Sequence, residues 1–237
     1  MKRARQISKK QKRNAGGKGR TAAFFDVDGT LVKLTTDLQI FNHLFRLGEF
    51  PLWSLIKAYY FVLLHKLDLL KIEQTLEFMG FLKGRTTKEL EKVSHDIFMK
   101  VIKPRIIKSM ISEVKRHQKQ GDMTVLLSNS PEEIIDSFRE YLKIDYTVGT
   151  ILEAKNGIYT GRVTRFCYSK VKKQVMQQFA REHDVDLSKS YFYTDSYSDL
   201  PTLLAVGNRI VVNPDLRLRM YAHKQGWRII EADHGRS

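Results

Sequence analysis

One cysteine in 237 residues, Cys167, leaves no partner for an internal disulfide and excludes a multi-cysteine metal site, which fits a reducing, cytoplasmic setting. A structural thiol is the role that suits it. The chain also lacks any uncharged run near the roughly eighteen residues that span a bilayer. Its most apolar stretch, Phe50 to Leu70, is interrupted by Lys57, His65, Lys66 and Asp68, which excludes a transmembrane helix. Acids are missing from Met1 to Arg20, where nine Lys or Arg and three Gly stand with almost no apolar side chain. Such a segment cannot bury enough surface to order itself, and it lacks the apolar middle of a secretory signal. It also holds no aromatic residue interleaved with its charges, which argues against a nucleic-acid partner. The net charge of +15 is mostly this tail, since the remaining 32 basic and 26 acidic residues leave only +6. The tail reads either as a solvated arm or as a tether to an anionic membrane surface, peripheral at the inner face. The 42% hydrophobic content suffices for one large domain, with or without an inserted smaller one.

What is present centres on Phe24-Phe25-Asp26-Val27-Asp28-Gly29-Thr30-Leu31. Thr21 to Phe25 predicts a short buried strand, so Asp26 stands at its carboxyl end, where α/β sheets bind ligands, and Gly29 lets the backbone turn away. Two carboxylates this close repel unless a cation sits between them, and Mg²⁺, a hard ion that takes oxygen ligands, resolves the repulsion. The alternative is an ordinary Asp-Gly turn.

Residues 32–105 change to helical composition. The apolar stretch within them reads either as a cap helix packed over the active site or as an interfacial helix with Lys57, Lys66 and Lys71 near headgroups. Thr86 with Glu89 predicts a capped helix start. After a helix from about Arg105 to Gln120, Met123 to Leu127 predicts a second strand ending in Ser128-Asn129-Ser130-Pro131, with Ser130 as N-cap and Pro131 as first helical residue. Ser128 suits either a phosphate seat or plain capping chemistry. Asn156-Gly157 marks a hairpin, Ser169-Lys170 opens a helix, and Lys170 at that helix start makes sense if aimed at an anion. Tyr191 to Thr194 predicts another strand, ending in Asp195 with Asp199 close behind, where Ser198 or Asp199 is otherwise an N-cap. A further strand over 208–212, a helix over 216–225 and a last strand over 227–230 complete the alternation.

The ordered set Asp26-Val27-Asp28-Gly29-Thr30, Ser128, Lys170 and Asp195 with Asp199 resembles the four motifs of the haloacid dehalogenase-like hydrolase superfamily. Leu127-Ser128-Asn129-Ser130-Pro131, Tyr159-Thr160-Gly161 and Asp195-Ser196-Tyr197-Ser198-Asp199-Leu200-Pro201 make it most similar to the phosphoserine-phosphatase-like subfamily IB. The resemblance implies a Rossmann-like α/β core, a parallel sheet flanked by helices, over 21–31 and 106–237, with a helical cap at 32–105 and the basic tail at 1–20 outside it. It implies Asp26 as nucleophile and Asp28 as acid and base. It further implies Mg²⁺ held by Asp26, Asp28, Asp195 and Asp199, and a phosphoryl group bound by Ser128, Lys170, Gly29 and Asn129.

The activity implied is a Mg²⁺-dependent phosphatase acting through an aspartyl-phosphate on a small phosphorylated substrate. The alternative is a membrane-interface lipid-phosphate phosphatase similar to the phosphatidylglycerophosphatases, and a nucleic-acid-binding protein using the tail ranks last. True phosphoserine phosphatases carry Ser where this chain has Gly29, and an acidic cap residue earlier than Asp37, which argues against phosphoserine.

Overall fold

The structure is a computed structural model and describes residues 19–49, 51–66 and 79–232. The basic tail before Gly19 and the far end of the apolar stretch, including Lys71, lie outside the described residues. Seven strands form one sheet: β1 (Ala22–Phe25), β2 (Met123–Pro131), β3 (Tyr146–Lys155), β4 (Ile158–Arg165), β5 (Tyr191–Thr194), β6 (Asn208–Val212) and β7 (Arg228–Ile230). Their order is β4-β3-β2-β1-β5-β6-β7, parallel throughout except for the β3–β4 hairpin. That hairpin turns through Asn156 and Gly157 at φ 52° and 79°, the left-handed pair that a tight turn between twisted strands needs.

β1 reads Ala-Ala-Phe-Phe with every residue buried because it is the central strand, covered on both faces. Alternation sends Phe25 and Tyr193 to one side, stacked at 4.6 Å, and Phe24 and Phe192 to the other, where Phe24 meets Phe179 edge-on at 5.9 Å. The helices that close these two layers are α4 (Lys108–Gln120) and α5 (Glu132–Leu142) on the Phe25 side, and α6 (Ser169–Glu182) and α8 (Leu216–Gln225) on the Phe24 side. The short helix α7 (Leu200–Leu203) follows β5. Chain order reverses at β1, whose parallel neighbours β2 and β5 come from opposite halves of the sheet, and a crevice opens beyond the strand ends there.

Between β1 and α4 come α1 (Thr36–Arg46), α2 (Leu52–Lys66) and α3 (Thr87–Ile97). The expected start of α3 is there as a full capping box. Thr86 Oγ1 accepts from the Glu89 N–H at 3.2 Å, and Glu89 Oε2 accepts from the Thr86 N–H at 2.8 Å. Ile40, Leu44, Ile97, Phe98 and Ile102 pack into the same apolar cluster as Phe25, so this inserted segment shares the main core at its base.

The start of α5 differs from the sequence expectation. Pro131 at φ −55° and ψ 141° still pairs with Thr150 as strand, serves as N-cap without a side-chain bond, and the helix begins at Glu132. Ser130 does not cap it. Its buried hydroxyl sits 3.3 Å from that of Thr36, tying β2 to the start of α1.

Candidate active site

Asp26 leaves β1 with its N–H donated to the Tyr193 carbonyl at 2.9 Å, so the ends of β1 and β5 are held together where the side chains emerge. The turn that follows is tight, with the Leu31 N–H reaching the Val27 carbonyl at 2.9 Å and the Gly29 N–H reaching that of Val32 at 2.8 Å. Gly29 has φ +78°, and a Cβ there would lie 1.9 Å from Asp195 Oδ2. Glycine thus serves both the left-handed turn and the approach of a carboxylate. Gly29→Ala is expected to cost about 1–2 kcal/mol of stability and to lower turnover about 100-fold by displacing Asp195, measured by thermal unfolding and phosphate release.

The sequence reading placed Lys170 at this centre, and the structure corrects it. Lys170 is exposed on the first turn of α6, whereas Lys172 is buried and bridges two carboxylates, donating to Asp26 Oδ1 at 2.8 Å and to Asp199 Oδ2 at 2.7 Å. The reason is helical geometry. Val175, Met176, Phe179 and Ala180 form the buried stripe of α6, and Lys172 lies three and four residues ahead of the first two, on that stripe. Lys170 is five residues from Val175 and faces away from it.

The remaining candidates fall as follows. Asp199 Oδ2 also accepts from the Thr194 hydroxyl at 2.7 Å, which fixes it behind Lys172. Both oxygens of Asp28 accept the Thr36 N–H, at 3.0 and 3.1 Å, so the first turn of α1 aims this carboxyl. Asp195 stands in a loop latched by Asp215. The Asp215 N–H donates to the Asp195 carbonyl at 2.9 Å, and its carboxylate accepts from the Tyr197 N–H at 2.6 Å while capping α8. Ser128 is buried at the end of β2, its oxygen accepting from the Ser130 N–H at 3.3 Å, and the cavity wall beside it is Asn129. Asp26, Asp28, Gly29, Asn129, Asp195 and Asp199 all line one cavity of about 490 Å³, together with Lys172 and Asp37. Thr36, Thr194, Lys172 and Asp37 were missed as site residues by sequence reasoning, and only Lys172 carried a usable signal, the 3.6-residue period.

The electrostatics are those of a site short of positive charge. Burial raises the Asp26 carboxyl to about 6 against the opposing pull of Lys172, with Asp199 adding to the rise. Burial, then the charges of Asp37 and Asp26, hold Asp28 well above the usual carboxylate range. Asp195 is raised well above it by burial and by Asp26 and Asp199. Asp37 is pushed up to about 6 by burial, and one of its oxygens is sealed from water with no hydrogen-bond partner among the described residues. The carboxylates crowded beside Gly29 are oxygen donors of the kind a hard divalent cation takes, and a single buried ammonium does not neutralise them, but among the described residues no three such side chains converge as a preformed metal site.

The comparisons with known proteins agree with this geometry. The family model described as haloacid dehalogenase-like hydrolase matches residues 23–204. A probable phosphatase of Mycobacterium tuberculosis is 29% identical over 221 residues, covering 90% of this chain and 76% of that one. A histidinol-phosphatase of Neisseria meningitidis is 29% identical over 215 residues, covering 88% of this chain and 97% of that one. Among solved structures, a protein of unknown function from Bordetella pertussis superposes with TM-score 0.80 at 27% identity, covering 90% of this chain and 99% of that one. A phospho-aspartyl intermediate analogue of phosphoserine phosphatase superposes with TM-score 0.67 at 18% identity, covering 91% and 96%. The chain therefore belongs to the haloacid dehalogenase-like hydrolase family, with the fold of the phosphoserine phosphatases, and is a phosphatase of that family.

Proposed function

We propose that the protein is a Mg²⁺-dependent phosphomonoester hydrolase that works through an aspartyl-phosphate on Asp26. The observation that carries this reading is the buried bridge of Lys172 between Asp26 and Asp199 at the mouth of the sheet. With Oδ1 held by Lys172, the second oxygen of Asp26 is the nucleophile, and attack on phosphorus breaks the bond to the leaving oxygen. Asp28, held above the usual carboxylate range by burial and anchored by the Thr36 N–H, gives a proton to that leaving oxygen. The resulting Asp28 carboxylate then takes a proton from water as that water attacks the phosphorus. The Asp26–phosphate bond breaks, phosphate leaves, and both carboxyls are restored.

Asp26, Asp195 and the backbone at Asp28 would hold Mg²⁺, with Asp199 fixing Lys172. When bound, the ion supplies charge to offset that gathering on the phosphoryl oxygens. Lys172, Gly29 and Asn129 line the same cavity and would bind the phosphoryl oxygens, with Ser128 buried next to Asn129. The Ser128 hydroxyl, accepting from Ser130, keeps its own proton to donate.

The relatives' names, histidinol-phosphatase and phosphoserine phosphatase among them, share a phosphomonoester bond and differ in the alcohol, so the class of bond is what they support here. Release of phosphate from a panel of amino-alcohol, sugar, nucleoside and lipid monophosphates, with and without Mg²⁺, tests the reading. Turnover is expected to need Mg²⁺ and to fall on the order of 10³-fold or more in Asp26→Asn. Full activity in that variant would refute it.

A further inference from the structure

The apolar stretch has two different sides in the helix it forms, one turned to the cavity and one to solvent. On one side of α2, Ala58 is buried and with Val62 lines the catalytic cavity, facing Leu34, Leu38 and Phe41. On the other side Leu52, Trp53, Ile56, Tyr59, Tyr60 and Leu63 recur at helical spacing and each stays at least half exposed, from 50% at Tyr59 to 61% at Leu52. A contiguous apolar face of this kind on a water-exposed helix marks an interaction surface.

We propose that this outer face of α2 docks on anionic lipid bilayers and presents the adjoining cavity to a phosphomonoester carried in the membrane; the second half rests on the phosphatase reading above. Charge and composition select the occupant. Within Leu52–Lys66 every formal charge is positive, Lys57 and Lys66, with no Asp or Glu. The Lys57 ammonium lies over the Trp53 ring at 4.8 Å, placing a cation at the edge of the aromatic face. Trp and Tyr with flanking Lys are the side chains that settle at the headgroup boundary, apolar ring inward and polar end outward. Anionic headgroups pair with that one-signed charge, and their boundary takes up the aromatic face. The nine basic residues of the first twenty add attraction of the same sign. The cavity fits the presentation. Its catalytic end is carboxylate and lysine, and on its α1–α2 wall Leu38, Phe41, Ala58 and Val62 present apolar surface beside the one carboxyl of Asp37, so a phosphate head with a largely apolar leaving group meets both kinds of surface.

The test uses the full chain and sucrose-loaded vesicles, either phosphatidylglycerol mixed with phosphatidylcholine or phosphatidylcholine alone. Co-sedimentation is expected with the anionic vesicles, together with a blue shift in Trp53 emission, read as the difference from Trp53→Phe. The triple variant Trp53→Ser/Ile56→Ser/Leu63→Ser is expected to bind at least 10-fold more weakly with an unchanged unfolding midpoint. It should also hydrolyse a diacylglycerol-anchored phosphomonoester at least 10-fold more slowly while keeping its rate on a water-soluble one. Equal sedimentation of the variant and the parent, with no Trp53 shift in the parent, would assign binding to the tail and overturn the proposal. So would a dimer, seen by sedimentation equilibrium, that the variant dissociates, since a second copy would then cover the face. A chain that binds vesicles through α2 but hydrolyses neither substrate would fail the phosphatase reading and leave the docking surface standing.

Discussion

Replacing Lys172 by methionine is expected to lower turnover at least 10³-fold and to reduce stability by about 3 kcal/mol, while Lys170→Ala changes both little. Both effects of the first substitution follow from the same two bonds. The ammonium donates to Asp26 at 2.8 Å and to Asp199 at 2.7 Å, and all three side chains are buried. Its own protonation is favoured well beyond that of a free lysine by those two carboxylates, against the cost of burial. Take it away and the main influence holding Asp26 down is lost, so the carboxyl moves further up, toward its protonated form. A protonated Asp26 is no nucleophile. Stability falls because breaking a buried pair from one side strands the other partner, here two of them, and methionine fills the space without compensating their charge. Lys170, on the exposed side of the same helix, should behave as a surface residue with a change within about 0.5 kcal/mol. Steady-state phosphate release and chemical denaturation of the two variants measure the contrast directly.

Asp195→Asn should show the reverse on stability and the same on activity. Burial and the neighbouring Asp26 and Asp199 raise the Asp195 carboxyl well above its ordinary value in the folded chain. A carboxyl raised on folding binds its proton more tightly in the native state, so its contribution is fully present below the unfolded value of about 3.9 and declines as pH rises through the higher folded value. At neutral pH the metal-free protein is therefore destabilised by this carboxyl. The asparagine variant, free of it, should be about 1–2 kcal/mol more stable without metal at pH 7.5 and no more stable near pH 4. Added Mg²⁺ should raise the midpoint of the parent protein by several degrees at pH 7.5, less at pH 5, and leave the variant unmoved. Thermal unfolding at the two pH values with and without Mg²⁺ measures all of this. A variant less stable than the parent in the absence of metal would show that Asp195 is satisfied by the protein alone.

The parts of this site that sequence showed are those set by local rules. Asp26, Asp28 and Gly29 share one turn, and a strand of four buried residues followed by Asp-x-Asp-Gly leaves little choice about where the carboxylates go. Asp195 and Asp199 follow β5 for the same reason, and the hairpin at Asn156-Gly157 is dictated by two residues that tolerate positive φ. What sequence misplaced is what tertiary packing decides. Lys170 and Lys172 stand in one lysine-rich helix start, and only the register of Val175 and Met176 against the sheet selects the second. Ser130 looked like a helix cap, yet pairing of Pro131 with Thr150 extends the strand and turns the Ser130 hydroxyl to Thr36. The Thr36 N–H that aims Asp28 comes from a separate element eight residues on, and nothing in the composition around it announces that contact. The apolar stretch at α2 is ambiguous in sequence because apolar side chains fall on both its cavity side and its exposed side.

The most direct test of the central claim is a rapid acid quench of the enzyme turning over a phosphomonoester labelled in its phosphate, followed by peptide mapping. Label is expected on the peptide containing Asp26. It should accumulate further in Asp28→Asn assayed with an aryl phosphate, whose leaving group needs no proton, because removal of the phosphate by water is then slowed, and it should be absent in Asp26→Asn. Turnover without label on Asp26, or a labelled peptide from elsewhere in the chain, would contradict the aspartyl-phosphate route.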